Sequence, residues 1–411
     1  MTTRIHSRLA LIFALVFASF AQAAGKPPVR AITAFVELQP ARYEQQIAEV
    51  AGKLGQTRRL FEQAGFEVQT VRITTQPYSN YVRGLTKEQA LALLFHLEEL
   101  ARKHSVLLNI GPAVLDDQPD PLMLELLEEV HSRVKQLDAS MIVASEKGVH
   151  WNAVHAAARH IKRVAEKSPR SQGTFNFAAT AMLGPGAPFY PGSWHANQGG
   201  RFSVGLQGAN VVAGVFASSR GDALAATRQL GEALSALAND VHRISRAAEA
   251  ATGWKYWGFD STPAPLKDDS IGAAMESLYA SHFGAAGTMT AAYVITQAQQ
   301  QIPEPRIGYG GLMIPVLEDS LLARRWSEGA INIDSLLAYS AVCGTGLDTV
   351  PLPGDVTEEQ LVRILGDMAV LAFKWKKPLT ARLQPVHGAK AGEMSAFDDP
   401  FLVNAKLQPL R

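Results

Sequence analysis

The chain has 411 residues, of which 47% are hydrophobic, 19% charged and 8% aromatic, a balance that excludes disordered, collagen-like and coiled-coil sequences. Lysine and arginine together number 39 against 38 acidic residues, so no basic excess argues for nucleic acid as a partner. The single cysteine, Cys343, excludes an internal disulfide framework and a cysteine-rich zinc site.

The first predicted element is an export signal. Arg4 and Arg8 precede an apolar core over residues 9–20, and Ala21-Gln22-Ala23 supplies the small-x-small pattern that a signal peptidase accepts. Such a core is too short to span a bilayer, which takes about 20 residues. Residues 1–23 are therefore expected to be removed, leaving residues 24–411 as one domain, periplasmic or secreted and free of the membrane. An uncleaved anchor is the competing reading.

Strands are expected at 30–38, 66–75, 105–110, 140–144 and 174–182, then at 201–208, 254–259, 307–316, 338–342 and 379–386. Most are near-continuous apolar runs, as in strands covered on both faces. Helical spacing lies between them at 43–64, 86–103, 222–251 and 357–373; two of these begin with Thr-x-x-Gln boxes, at Thr86 and Thr357. Strand alternating with helix predicts an α/β fold with a largely parallel sheet, and ten strands in one domain favour closure into a barrel.

Ligands of parallel α/β folds sit at the carboxyl ends of strands. That rule singles out Asp260 after WKYWGF, Glu318 and Asp319 after GLMIPVL, and Asp348 within CGTGLDTVPLPGD. It also selects His195 and Trp194, in a loop following the strand that contains Asn176. Each has a structural alternative. Asp319 could cap the following helix, Asp260 and Asp348 could clamp turns, His195 could be a hydrogen-bonded loop residue, and Cys343 a buried small hydrophobe. His150, His155 and His160 fall about 140° apart on a helix and are read as surface residues. The polar residues Arg382, Lys390, Asp398 and Asp399 near the C-terminus could line a site or form a solvated end, the second being the preferred reading.

The stretches FEVQTVRITTQPY, GFDSTPAP with DDSIGAAMES, GLMIPVLEDSLLA, LLAYSAVCGTGLDTVPLPGD and KPLTARLQPVHGAKAGEMSAFDDP resemble the domain-of-unknown-function 711 family, also called uncharacterised protein family 0210. The resemblance covers nearly all of residues 24–411. It implies a fold similar to pyruvate formate-lyase-type glycyl-radical enzymes, a ten-stranded α/β barrel of two five-stranded parallel halves. It does not imply their chemistry, because the C-terminal arginine–valine–x–glycine–aromatic motif is missing.

Three functions remain open on the sequence. The leading one is a hydrolase or lyase, glycosidase-like in one version, that splits acid and base roles among Asp260, Asp348, Asp319 and Glu318. His195 and Cys343 are further catalytic candidates; Asn176, Trp194 and Trp257 would bind a small polar or carbohydrate-like substrate. The second is an enzyme whose carboxylates hold a divalent cation such as Mg, Ca or Mn. The third is a periplasmic ligand-binding protein without catalysis. Oligomeric state is left open.

Overall fold

The computed structural model describes residues 26–196 and 199–410; the expected signal segment lies outside them. One ten-stranded sheet organises the molecule. Its first part is β1 (Val29–Val36), β2 (Val71–Thr75), β3 (Leu107–Val114), β4 (Leu137–Ser145) and β6 (Phe177–Ala181), which run parallel in that order. The two-residue β5 (Gly148–Val149) pairs only with β4.

The remaining strands run the other way. β7 (Arg201–Leu206) is antiparallel to β1 and carries β8 (Lys255–Asp260) parallel to itself. β10 (Leu379–Val386) is antiparallel to β6 and carries β9 (Gly346–Pro353) parallel to itself. The outermost strands, β8 and β9, are not paired with each other. Between them passes the segment 306–316, joined to the sheet by isolated bridges at Phe259–Arg306, Leu312–Gly344 and Pro315–Asp348.

The helical layer comprises α1 (Tyr43–Gln63), α2 (Ser79–Val82), α3 (Lys87–Lys103), α4 (Pro121–Arg133), α5 (Trp151–Lys167), α6 (Ala209–Ser219), α7 (Ala223–Thr252), α8 (Ile271–Tyr279), α9 (Thr288–Gln299), α10 (Ser320–Ser327), α11 (Ile333–Val342) and α12 (Glu358–Trp375). Local chemistry sets several of their ends. Thr86 and Thr357 form the expected capping boxes with Gln89 and Gln360. Asp222 caps α7, which ends at Gly253 with φ 71°.

Every residue of β1, β9 and β10 is buried, because helices cover one sheet face and chain fills the other. The filling is the Pro- and Gly-rich loop 183–195. Thr33 Oγ1 donates to the Pro188 carbonyl (2.8 Å), Asn109 Nδ2 to that of Pro191 (2.7 Å) and Ser203 Oγ to that of Gly186 (2.8 Å). Thr74 and Ser193 share a hydroxyl hydrogen bond of 2.8 Å. These bonds satisfy loop carbonyls that water cannot reach.

Two expected strands differ from the structure. The run 338–342 belongs to α11, opened by the Asn332–Ser335 capping box; a short apolar run has no periodicity that separates strand from buried helix. The run 307–316 forms only single bridges, since Gly308 (φ 83°) and Gly310 (φ 53°) break the extended backbone. Conversely, the glycine-rich stretch after Cys343 is strand β9. His150 and His160 are buried, not surface residues: His150 bonds the Ile142 carbonyl and Ser145, and His160 bonds His131.

Candidate functional site

A pocket opens where the parallel strands β1–β4 and β6 begin, and it encloses about 940 Å³ of empty space, its mouth included. Strands that are otherwise uncharged each contribute one charged residue to it. Arg30 comes from β1, Arg72 from β2, Asp138 from β4, Asp348 from β9 and Arg382 from β10. Glu318 follows the 306–316 segment; Asp399 and Phe401 reach in from the C-terminal segment, which Val403 N fixes to the Leu317 carbonyl (2.6 Å). The loop residues Phe189 and Tyr190 also line it.

Two guanidiniums and two carboxylates form a chain. Glu318 bridges Arg30 (2.9 Å) and Arg382, and Arg382 also donates to Asp348. All four are nearly excluded from solvent. Burial alone would raise the Glu318 carboxyl, but Arg382 and Arg30 outweigh it and hold Glu318 below the usual carboxylate range. Burial dominates at Asp348, assisted by the nearby Glu318 charge, and raises it despite Arg382. Phe175 and Phe401 stack on the Arg382 and Arg30 guanidiniums at 5.1 and 4.9 Å.

A bulge aims Asp348. The pairing of β9 with β10 slips between Ala381 and Leu383, opposite Asp348 and Thr349, and Thr349 takes φ 45°. A β-branched residue is strained there. The compensation is local: Thr349 Oγ1 accepts from Leu317 N (3.1 Å), tying the bulge to the residue before Glu318.

The other two charged groups are less committed. Arg72 donates through Nε to Thr70 Oγ1 (2.9 Å) and stacks on Tyr190 at 4.9 Å; among the described residues no carboxylate lies within 4.0 Å of it. Burial and the Arg30 charge lower it to about 10. The Asp138 carboxyl makes no hydrogen bond or ion pair among the described residues. Burial pushes it up to about 7, against the pull of Arg72 and Arg382 and with a further push from Asp399. Tyr309 and Thr380 complete the wall with a 2.6 Å hydroxyl hydrogen bond.

Residues 24–398 match the family described as Uncharacterised ACR (DUF711). The chain belongs to the DUF711 family. A UPF0210 protein of Pyrobaculum islandicum is 29% identical over 354 residues, covering 82% of this chain and 77% of that protein. One of Carboxydothermus hydrogenoformans is 27% identical over 374 residues, covering 86% and 82%. Among solved structures, the anaerobic ribonucleotide reductase from Thermotoga maritima in complex with dATP and CTP is similar over 86% of this chain and 75% of that one, at 9% identity and a TM-score of 0.42.

In this DUF711 chain the residues selected from sequence divide into four places. Asp348, Glu318 and Asn176 line the pocket; Asn176 Nδ2 donates to the Lys135 carbonyl (3.0 Å). Asp260 and Asp319 are buried clamps. Asp260 accepts from Thr262 N and Oγ1, Tyr309 N and Gly310 N. Asp319 caps α10 through Leu321 N and Leu322 N and binds Ser270. Burial raises both carboxyls.

His195, Trp194 and Trp257 lie away from the pocket. Phe35 contacts both the His195 ring (6.1 Å) and Trp257 (5.3 Å), and Phe35 and Arg30 stand at opposite ends of β1. Burial, with the Arg201 charge, lowers His195 to about 4. Trp194 Nε1 bonds the Leu183 carbonyl (3.0 Å). Cys343 closes a helix and not a strand; its thiol lies by Thr296 of α9, and burial raises it. No group of three His, Cys, Asp or Glu side chains among the described residues is arranged to hold a metal ion.

Arg30, Arg72, Asp138 and Asp399 are the functional candidates that the strand-end rule passed over. For Arg30, Arg72 and Asp138 the signal was a lone charge near the start of a largely buried strand, VRAITAFV, VRITT and LDASMIVAS, where an unpaired charge is costly; Asp399, in the C-terminal segment, carried no such signal.

Proposed function

We propose that the chain is an enzyme, a hydrolase or lyase acting on a small polar substrate, with Asp138 as the group that moves a proton. The observation that carries this reading is the Asp138 carboxyl, which lines the pocket without a hydrogen-bond or ion-pair partner among the described residues and which burial lifts to about 7 against the pull of Arg72 and Arg382. At that value both protonation states are populated near neutral pH, as general acid–base catalysis requires. Protonated Asp138 can give its proton to a leaving oxygen or nitrogen; the carboxylate left behind gains from the two nearby guanidiniums. The Arg30–Glu318–Arg382–Asp348 chain serves as a rigid floor, and Asp260 and Asp319 act structurally.

The finer architecture belongs to the same proposal. With the two-residue β5 set aside, segment 306–316 stands as the tenth strand of a barrel, running between β8 and β9 and making two parallel five-stranded halves of opposite direction. Its bridges to both strands support this. Export after cleavage of residues 1–23 is also proposed; the family match begins at residue 24.

The test is an activity screen of residues 24–411 against esters, amides, glycosides and dehydratable hydroxy acids, with Asp138→Asn as the control. Turnover with a kcat/KM inflection near pH 7, reduced roughly 100-fold or more in the variant, is expected. Turnover unchanged by Asp138→Asn would overturn the assignment.

A further inference from the structure

The pocket holds three buried guanidiniums, and among the described residues only two of them are paired with a carboxylate. Arg30 and Arg382 share Glu318, and Arg382 also has Asp348. Arg72 has a hydroxyl on Nε and an aromatic face beneath it, which fix its plane. Its two terminal nitrogens make no hydrogen bond among the described residues, and the side chain lines the cavity. A buried guanidinium left without an anion is costly. A guanidinium locked in plane with its outer edge open has the fork geometry that matches a carboxylate or phosphate. Lys135 adds a second positive charge at the same pocket.

We infer that the substrate carries an oxyanion, a carboxylate or phosphate, held by the open edge of Arg72. This rests on the reading of the pocket as the substrate site and adds the chemical class of the ligand. The anion replaces the missing counter-charge and brings the rest of the substrate beside Asp138. Neutral sugars, which the sequence left open, lack the group that Arg72 is built to meet.

Calorimetric titration of residues 24–411 with inorganic phosphate, malonate and, as neutral controls, malonamide and glucose tests this. One or both anions should bind, and neither neutral control should. The stronger anion identifies the class: phosphate if Lys135 adds its charge, malonate if the fork alone decides. Arg72→Gln should weaken binding roughly tenfold to hundredfold, the worth of a charge-assisted pair. Arg72→Lys keeps the charge but loses the fork and should also weaken it; this variant decides the matter if Arg72→Gln fails to fold by circular dichroism. Equal anion binding by wild type and Arg72→Lys, no anion binding, or binding of glucose in its place would overturn the inference.

Asp138→Asn separates the two claims. It should bind the anion at least as tightly as wild type at pH 8, because a negative charge has been removed. Anion binding with activity that survives Asp138→Asn would sink the proton-transfer role alone. Loss of activity in that variant without anion binding to wild type would sink the oxyanion assignment alone.

Discussion

Asp138 and Arg382 respond to substitution in opposite ways because one is raised by burial and the other anchors buried anions. The folded Asp138 carboxyl sits near 7 against an ordinary 3.8, so the folded state binds the proton more tightly than the unfolded chain. Its contribution to stability is complete below about pH 4 and is lost as pH rises through 7. Asp138→Asn should therefore be more stable than wild type at pH 8, with the advantage shrinking towards pH 4 in urea melts. Arg382→Met leaves Asp348 without a cation and Glu318 with only Arg30. It should cost about 3–5 kcal/mol at neutral pH, and less in acid as the orphaned carboxyls take up protons. Glu318 stands out in the sequence at the end of the apolar run GLMIPVL, whereas Asp348 stands out for a wrong reason, since the run 338–342 before it is helix α11 and Asp348 itself lies in β9. Arg72 and Asp138 are passed over because the strand-end rule looks to carboxyl ends and they stand at the amino ends of β2 and β4; a single charge in a largely buried strand is the cue.

The element that best shows structure serving the site is β9. In sequence its residues resemble a loop, because the glycines and prolines of CGTGLDTVPLPGD mimic turn chemistry. Here Gly346, with φ 113°, permits close pairing with β10 just before the bulge, since a Cβ would meet the Thr380 carbonyl oxygen at 2.1 Å. Thr349 accepts strain to turn Asp348 towards Arg382, and its hydroxyl holds Leu317. Thr349→Val keeps the strain and loses that acceptor, so about 1–2 kcal/mol of destabilisation is expected by urea titration. Thr349→Gly relieves the strain while losing the same bond, and should sit closer to wild type. The helices were easier to read than the strands: the boxes at Thr86 and Thr357 fix their starts by local chemistry, whereas the apolar run of α11 reads equally well as a strand.

At the scale of the molecule, segment 306–316 is tied down in part by a residue distant in sequence. Asp260 at the end of β8 receives the backbone N–H groups of Tyr309 and Gly310, and Gly308 passes so close that a Cβ would lie 2.0 Å from Asp260 Oδ2. Asp260→Ala leaves buried donors unsatisfied and should cost about 3 kcal/mol or more, with thermal unfolding as the readout and loosening of the Tyr309 wall as its consequence. The alternation of strands and helices was legible from apolar patterning, while the direction reversals at β7 and β10 were not, since no local signal encodes them. Those reversals explain why His195, at the far end of β1 from Arg30, stands away from Asp348. The central claim is a carboxyl at the pocket poised near neutrality, and carbon-13 NMR titration of the Asp carboxyls, assigned by comparison with Asp138→Asn, measures it directly. A resonance missing from the variant and titrating near pH 7, moving higher when an anion fills the pocket, is the expected result. Titration of that resonance below pH 5 would contradict the account.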